Sequence, residues 1–581
     1  MMADIFEYII TYFEVLLGLF EQFVTLPFYV QGFYVLAIVS LTTCWYITFT
    51  AKEGIYKLLS VILNAVIAFS VASVVGNYLY IIPGFLELPS LIVALTFYPF
   101  RGIKLFGEKE NLHTLRYDTD KGPIYIDLRR HGGIFGGSGA GKTDSGYIPI
   151  IKHIFKYGLP ASVYDYKDFE LWEKVLYFHE KARKRNVELQ LSGHQNIQLP
   201  ELRCIYFKDP NYSDHFNFLD PIYIQEMEDV EAICNTFFDN LYPGDGDGNF
   251  FKESGSSIMA GVTWRMKEDY PQYCDFPHIS QIILNAKGKE LMAFIQKSPR
   301  ASALAAPFLK AKGNEKQLGS VISSVAAAMK KIATPNMYQV LSRNDFDIAI
   351  NKEGNHTVLG LINVPSRDAV YGPVLATIAQ LMMNKMSERG REYSVHLWDE
   401  ASTLKFNRLD KILATLRSFN IMVVWGLQDK VQGVILYNEN ILKAILANLG
   451  MKIIGKANDS DTAQYYTKLF ETVDVKERSV SQSDRGKTTT TSTREKSKYK
   501  TFDFQRLKQG EFFFLDTESR DKKARVKLSH YENVRPEQKH FYTKQEIEDN
   551  YDSVAKKAKE ILLEDLLDEP TESEDETITN E

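Results

Sequence analysis

Cysteine is scarce: four in 581 residues, at positions 44, 204, 234 and 274, with no CxxC pair among them. That excludes a disulfide framework or a zinc ribbon and fits ordinary reduced thiols. A calcium loop is missing too. Asp245-Gly246-Asp247-Gly248-Asn249 begins like one, but Phe250 replaces the glycine of the sixth position and Ser256 the glutamate of the twelfth, removing the turn and the bidentate ligand. Net basic charge is also lacking, the chain standing at −6. The deficit is local, because residues 560–581 hold ten acids and no bases, which leaves the remainder at +4. A polyanionic partner is therefore not excluded by charge. The start has no basic n-region, with Asp4 and Glu7 in its place, so no cleavable signal peptide is expected.

Long apolar runs are present but crowd into the first hundred positions. Residues 33–50 carry no charge, 58–85 are softened only by polar residues such as Asn64 and Asn77, and 86–100 have Glu87 near their start. A bilayer core needs about 20 apolar residues in helix, so these runs are expected to be membrane helices, the third being short for a crossing of its own. Residues 5–30 place Glu7, Glu14 and Glu21 on one face, which suits either a crossing inside a bundle or an interfacial helix. Lys52 and Lys57 follow the second segment, and Arg101, Lys104 and Lys109 follow the last. These basic flanks put both ends on the cytoplasmic side of a multi-pass anchor.

The most specific motif is a phosphate-binding loop. Gly136, Gly137, Ser138, Gly139, Ala140, Gly141, Lys142 and Thr143 follow the strand-like Gly133-Ile134-Phe135 and precede a helical pattern. Glycines let backbone amides converge on phosphate oxygens, Lys142 supplies a point charge for the β- and γ-phosphates, and Thr143 offers a hydroxyl to Mg²⁺. ATP with Mg²⁺ is the expected ligand pair. Far downstream, Ser394-Val395-His396-Leu397-Trp398 runs β-prone residues into Asp399 and Glu400. At the carboxyl edge of a parallel sheet, Asp399 would hold Mg²⁺ through water and Glu400 would polarise the attacking water.

The soluble part reads as an α/β domain split in sequence. Strands are expected at Ala161–Asp165, 357–362 and 421–427, whereas 224–345 show helical periodicity interrupted by prolines, as an inserted all-α domain would. Residues 479–493, rich in Ser and Thr, are expected to be an exposed loop or disordered insertion. Beyond Lys522 the chain turns polar and holds one amphipathic stretch at 547–567. A solvated end and a recruitment tail for a basic partner are both consistent with it. The expected organisation is 1–106 membrane region, 107–223 and 346–535 the two parts of the nucleotide-binding domain, 224–345 insertion, and 536–581 acidic tail.

The order of parts resembles the coupling proteins of type IV secretion and conjugation, the VirD4/TraG/TraD family. Val163-Tyr164-Asp165-Tyr166-Lys167-Asp168 is similar to its Asp-x-Lys-Gly-Glu segment, with Asp168 where glycine is usual. His215-Phe216-Asn217-Phe218-Leu219-Asp220-Pro221 resembles its Asn-Pro-Leu-Asp segment, with Phe218 for proline. Arg417 and Gln428 follow the acidic strand at the family's spacing, and 457–463 and 509–514 resemble its later segments. The resemblance implies a RecA-like ATPase with an all-α insertion and a membrane anchor, ring-forming and expected as a homohexamer in a bacterial inner membrane with the ATPase domain cytoplasmic. It also implies single-stranded DNA, a relaxase and type IV channel components as partners, with delivery of protein effectors as the alternative. Gln428 would sense the γ-phosphate or orient water, and Arg417 would act as an arginine finger across a subunit boundary.

Overall fold

The computed structural model describes residues 41–42, 110–192, 197–242, 248–310, 315–483, 486–516 and 521–567. Apart from Leu41 and Thr42, the expected membrane segments lie outside the described residues, as does 568–581 of the acidic tail. Among the described residues no helix is long and apolar enough to cross a membrane.

The strands are β1 (Thr114–Tyr117), β2 (Ile124–Asp127), β3 (Gly132–Phe135), β4 (Ala161–Asp165), β5 (Glu201–Tyr206), β6 (Thr357–Ile362), β7 (Ser394–Trp398), β8 (Ile421–Leu427), β9 (Met451–Ile454), β10 (Thr472–Ser483), β11 (Gly486–Ser497), β12 (Glu511–Leu515) and β13 (Asp521–Arg525). Nine of them form one sheet in the order β13-β12-β9-β3-β8-β7-β4-β6-β5. Every pairing from β9 to β5 is parallel, and β12 and β13 extend the edge antiparallel. Strands such as Ile421-Met422-Val423-Val424-Trp425-Gly426-Leu427 are apolar without alternation and wholly buried. That is the pattern of parallel strands covered on both faces. Helices Ile148–Tyr157, Trp172–Leu191, Asp368–Met386 and Leu409–Leu416 return the chain between successive parallel strands.

Between β5 and β6 the chain leaves the sheet and forms the helical insertion, from Met227–Leu241 through the long Gly248–Asp269 to Pro335–Leu341. The segments that enter and leave it are tied to each other. Asn217 N–H donates to Asn344 Oδ1 at 2.7 Å, Asn344 Nδ2 donates to Asp220 Oδ2 at 2.8 Å, and His215 N–H donates to Asp345 Oδ2 at 2.9 Å. The segment His215–Pro221 singled out in the sequence therefore builds the neck of the insertion.

Two regions differ from the sequence expectation. Residues 479–483 and 486–493 belong to the antiparallel hairpin β10–β11, paired from Thr472 with Ser497 to Ser483 with Gly486. The threonines that suggested low complexity are β-branched and favour a strand. Residues 544–567 are a helix that packs against Phe276–Asn285 and Pro335–Leu341 of the insertion, burying Val554, Ala558 and Ile561.

Candidate active site

The carboxyl ends of the parallel strands converge on a cavity of about 820 Å³ lined by Gly137 to Thr143, Glu400 and Gln428. β3 carries the phosphate loop, β7 ends at the acids and β8, lying between them, ends at Gln428. The sheet order alone thus brings three motifs distant in sequence to one edge.

The loop is shaped by close approach. Gly141 caps the following helix with φ +88°, a left-handed conformation that L side chains rarely adopt. At Gly137 an added Cβ would stand 2.2 Å from the Asn458 amide, so a side chain there would have to displace that of Asn458. Lys142 is buried, donates to the Gly136 carbonyl at 2.7 Å and lies 3.6 Å from Glu400 Oε1.

Asp399 and Glu400 are 4% and 6% exposed. Burial, reinforced by the charge of Glu400, pushes the Asp399 carboxyl up to about 7, while Lys142 and Lys167 pull the other way. Its Oδ1 is buried without a hydrogen-bond partner. Glu400 has φ +50°, and that local strain turns its side chain out of the strand line. The turn is held by Thr403, whose hydroxyl donates to Glu400 O at 2.9 Å and meets Tyr164 Oη at 2.8 Å. Trp398, stacked on Phe406 at 4.4 Å, anchors the strand beneath it.

Asp165 serves a different purpose. Its carboxylate accepts from the N–H groups of Lys167, Leu171 and Trp172 at 2.9, 2.7 and 2.9 Å, capping the turn into Trp172–Leu191. Burial nevertheless raises its pKa to about 6. Asp168, standing where the family usually has glycine, has φ +53° and accepts from Tyr206 Oη and Lys208 Nζ, both at 2.6 Å. The turn keeps the shape that glycine permits, with side-chain bonds offsetting a conformational cost of about 1–2 kcal/mol.

Arg417 lies elsewhere. It is exposed beyond helix Leu409–Leu416, four residues before β8 begins, and its charge acts on His131 at the amino end of β3. Seven strand residues put it roughly 23 Å below Gln428. Within one chain Lys142, Glu400 and Gln428 share a cavity and Arg417 does not join them.

The structure also adds residues that the motifs did not reveal. Lys174 lines the cavity, and so does Tyr531, whose hydroxyl donates to Asp144 at 2.6 Å. No phosphate-site motif reaches that far along the chain, so no sequence signal marked Tyr531. The cavity's donor set suits a phosphorylated ligand with a hard cation: converging loop amides and Lys142 for phosphate, and the Thr143 hydroxyl with the unpartnered Asp399 oxygen for Mg²⁺.

Comparison with known proteins places this arrangement. Residues 107–502 match the family model described as type IV secretory system conjugative DNA transfer. Among solved structures, the unbound monoclinic form of the bacterial conjugative coupling protein TrwBdeltaN70 superposes with a TM-score of 0.56 at 13% identity, covering 74% of this chain and 91% of that one. The plasmid coupling protein TrwB in complex with ADP and Mg²⁺ gives 0.54 at 12%, covering 70% and 87%. Its complex with the GTP analogue GDPNP gives 0.55 at 12%, covering 70% and 88%. No curated protein sequence matches the chain. At these identities the structures establish a shared fold, and the family rests on the sequence match. With that match spanning most of the chain, and with the phosphate loop, acidic strand and helical insertion all inside it, the protein belongs to the type IV secretory family of conjugative DNA-transfer proteins.

Proposed function

We propose that this chain is an oligomeric, membrane-anchored ATP hydrolase that couples turnover to moving single-stranded DNA, with its relaxase, toward a type IV secretion channel. The observation that carries the reading is the convergence of Lys142, Glu400 and Gln428 on one cavity beside the buried Asp399, whose Oδ1 has no hydrogen-bond partner. A scaffold that only bound nucleotide would have no use for that hydrolytic set. The TrwB structures with ADP and Mg²⁺ and with GDPNP support the choice of ligand.

Lys142 and the loop amides would hold the β- and γ-phosphates, exchanging the Gly136 carbonyl for phosphate oxygen. Mg²⁺, held by Thr143 and through water by Asp399, would neutralise phosphate charge and favour ionised Asp399. Glu400 would take the proton of the attacking water, and Gln428 would orient that water. Arg417 of a neighbouring copy would stabilise charge in the transition state, which requires a ring. Homohexameric assembly follows from the family resemblance. DNA would be held by its backbone, so binding should be salt-sensitive and tolerant of sequence.

The test is ATPase activity of the full chain in detergent, with and without single-stranded DNA, beside Glu400→Gln at equal concentration. Stimulation by DNA that disappears in the variant supports a DNA motor. Turnover that needs Glu400 but ignores DNA would favour delivery of protein effectors, and turnover unaffected by the substitution would overturn the assignment.

A further inference from the structure

The segment that follows β13 lies wholly outside the family match, which ends at residue 502. It crosses the molecule from the cavity to the helical insertion. Val526 N–H donates to Gly510 O at 3.0 Å and Lys527 N–H to Asp118 O at 2.8 Å. Tyr531 then reaches the cavity wall, its hydroxyl on Asp144, the residue after Thr143. Lys174, nearly buried, sits 5.4 Å from the Tyr531 ring centre and donates to Asn533 Oδ1 at 3.0 Å.

The far end is fastened at the neck of the insertion. Tyr542 N–H donates to Asn211 Oδ1 at 2.6 Å, and Lys539 pairs with Asp214. Arg343 donates to Tyr542 Oη at 2.9 Å, and that hydroxyl meets His215 Nε2 at 3.2 Å. Helix Lys544–Leu567 follows at once and docks on the insertion: Tyr551 stacks on Tyr338 at 4.9 Å, and Asp565 pairs with Arg265 at 3.0 Å and Lys297 at 3.3 Å.

We propose that residues 526–543 form a nucleotide-sensing strap: Tyr531 contacts what fills the cavity, and the strap carries that occupancy to the helical insertion through Lys544–Leu567. The inference rests on reading the cavity as a nucleotide site. Three features favour a sensor over a passive tether. The pocket end is held by a few polar bonds and is largely exposed, so rearranging it is cheap. Its partner Asp144 is a carboxylate on the cavity wall, next to the hydroxyl expected to face the cation, where an incoming triphosphate and Mg²⁺ change the local field most. The other end is a packed helix fastened to the insertion by a buried ionic tie.

Hydrogen exchange on the full chain in detergent, with and without saturating ATPγS and Mg²⁺, tests this. Nucleotide should slow exchange in the phosphate loop and, by roughly threefold or more, in 526–535 and 544–567. In Tyr531→Ala and in Asp144→Asn the loop should still be protected and the response of 544–567 should vanish. Loop protection with 526–567 unchanged in the parent chain overturns the strap, as does a parental response in both variants. No protection at the loop overturns the nucleotide reading itself, and the strap with it.

Discussion

The ammonium of Lys142 stands 3.6 Å from the carboxylate of Glu400, and both side chains are 8% exposed. Each removes part of the cost of burying the other, so breaking the pair from one side leaves an uncompensated charge. Lys142→Ala should abolish nucleotide binding and also destabilise the fold by about 3 kcal/mol, since Glu400 then loses its ion-pair partner and faces Asp399 with only the charge of Lys167 acting on the two acids. Adding Glu400→Gln to that variant should recover most of the stability and none of the binding. Chemical denaturation and calorimetric titration with ATP measure the two effects separately. Equal stabilities of the single and double variants would show that the pair carries no weight in the fold.

Gly426 tests how tightly the sensor strand is set. A Cβ there would stand 1.8 Å from Tyr147 Oη and 2.9 Å from the Trp398 carbonyl, so β8 can approach the helix after the phosphate loop only with glycine at that position. Gly426→Ala should cost about 1–3 kcal/mol and reduce turnover by displacing Gln428, two residues on. Tyr147→Phe in the same chain removes the clashing oxygen and should restore part of both, a coupling that a double-mutant cycle reads directly. Additive losses would mean that the strand relaxes in another direction.

Much of the site was legible because its signals are local. Strands β4, β6, β7 and β8 stand out as unbroken β-prone runs, and the phosphate loop and Asp399-Glu400 announce their chemistry in a few consecutive residues. What stayed hidden depends on contacts distant in sequence. Tyr531 reaches Asp144 across 387 residues, and no periodicity encodes that meeting. The amphipathic stretch near 547–567 was visible, but its docking was not, because an apolar stripe does not say what covers it. The polar, Thr-rich composition within 479–493 suggests a loop, while its β-branched residues favour the β10–β11 hairpin.

His131 ties stability to pH. Its Nε2–H donates to the Leu413 carbonyl at 2.8 Å and its Nδ1 accepts from Val423 N–H at 3.1 Å, an arrangement only the neutral ring can make. Burial, with a smaller push from Arg417, lowers its pKa to about 4, against the pull of the Leu413 hydrogen bond. The folded pKa lies below the unfolded value, so this stability is complete above about pH 6.5 and is lost as pH falls toward 4. Between pH 7.5 and 5 the ring should cost the fold about 2 kcal/mol. His131→Gln can donate and accept at the same places without charging, and its denaturation midpoint should fall less over that range. Parallel pH profiles would remove His131 from the account.

Arg417 gives the strictest test of a ring. It is exposed, and it stands at the end of the strands opposite the cavity, so it has no route to nucleotide bound in its own chain. If a neighbour supplies it, Arg417→Ala should keep the fold and nucleotide affinity while turnover drops by about 10³-fold or more. Glu400→Gln should be equally inactive for a different reason. Mixing the two purified variants then creates interfaces in which Glu400 of one chain faces Arg417 of another, and those interfaces are intact. Activity should return in the mixture to a fraction set by the mixing ratio, although neither parent is active. A mixture as inactive as its components, under conditions where the chains are shown to exchange, would confine Arg417 to its own surface and remove the finger from the mechanism.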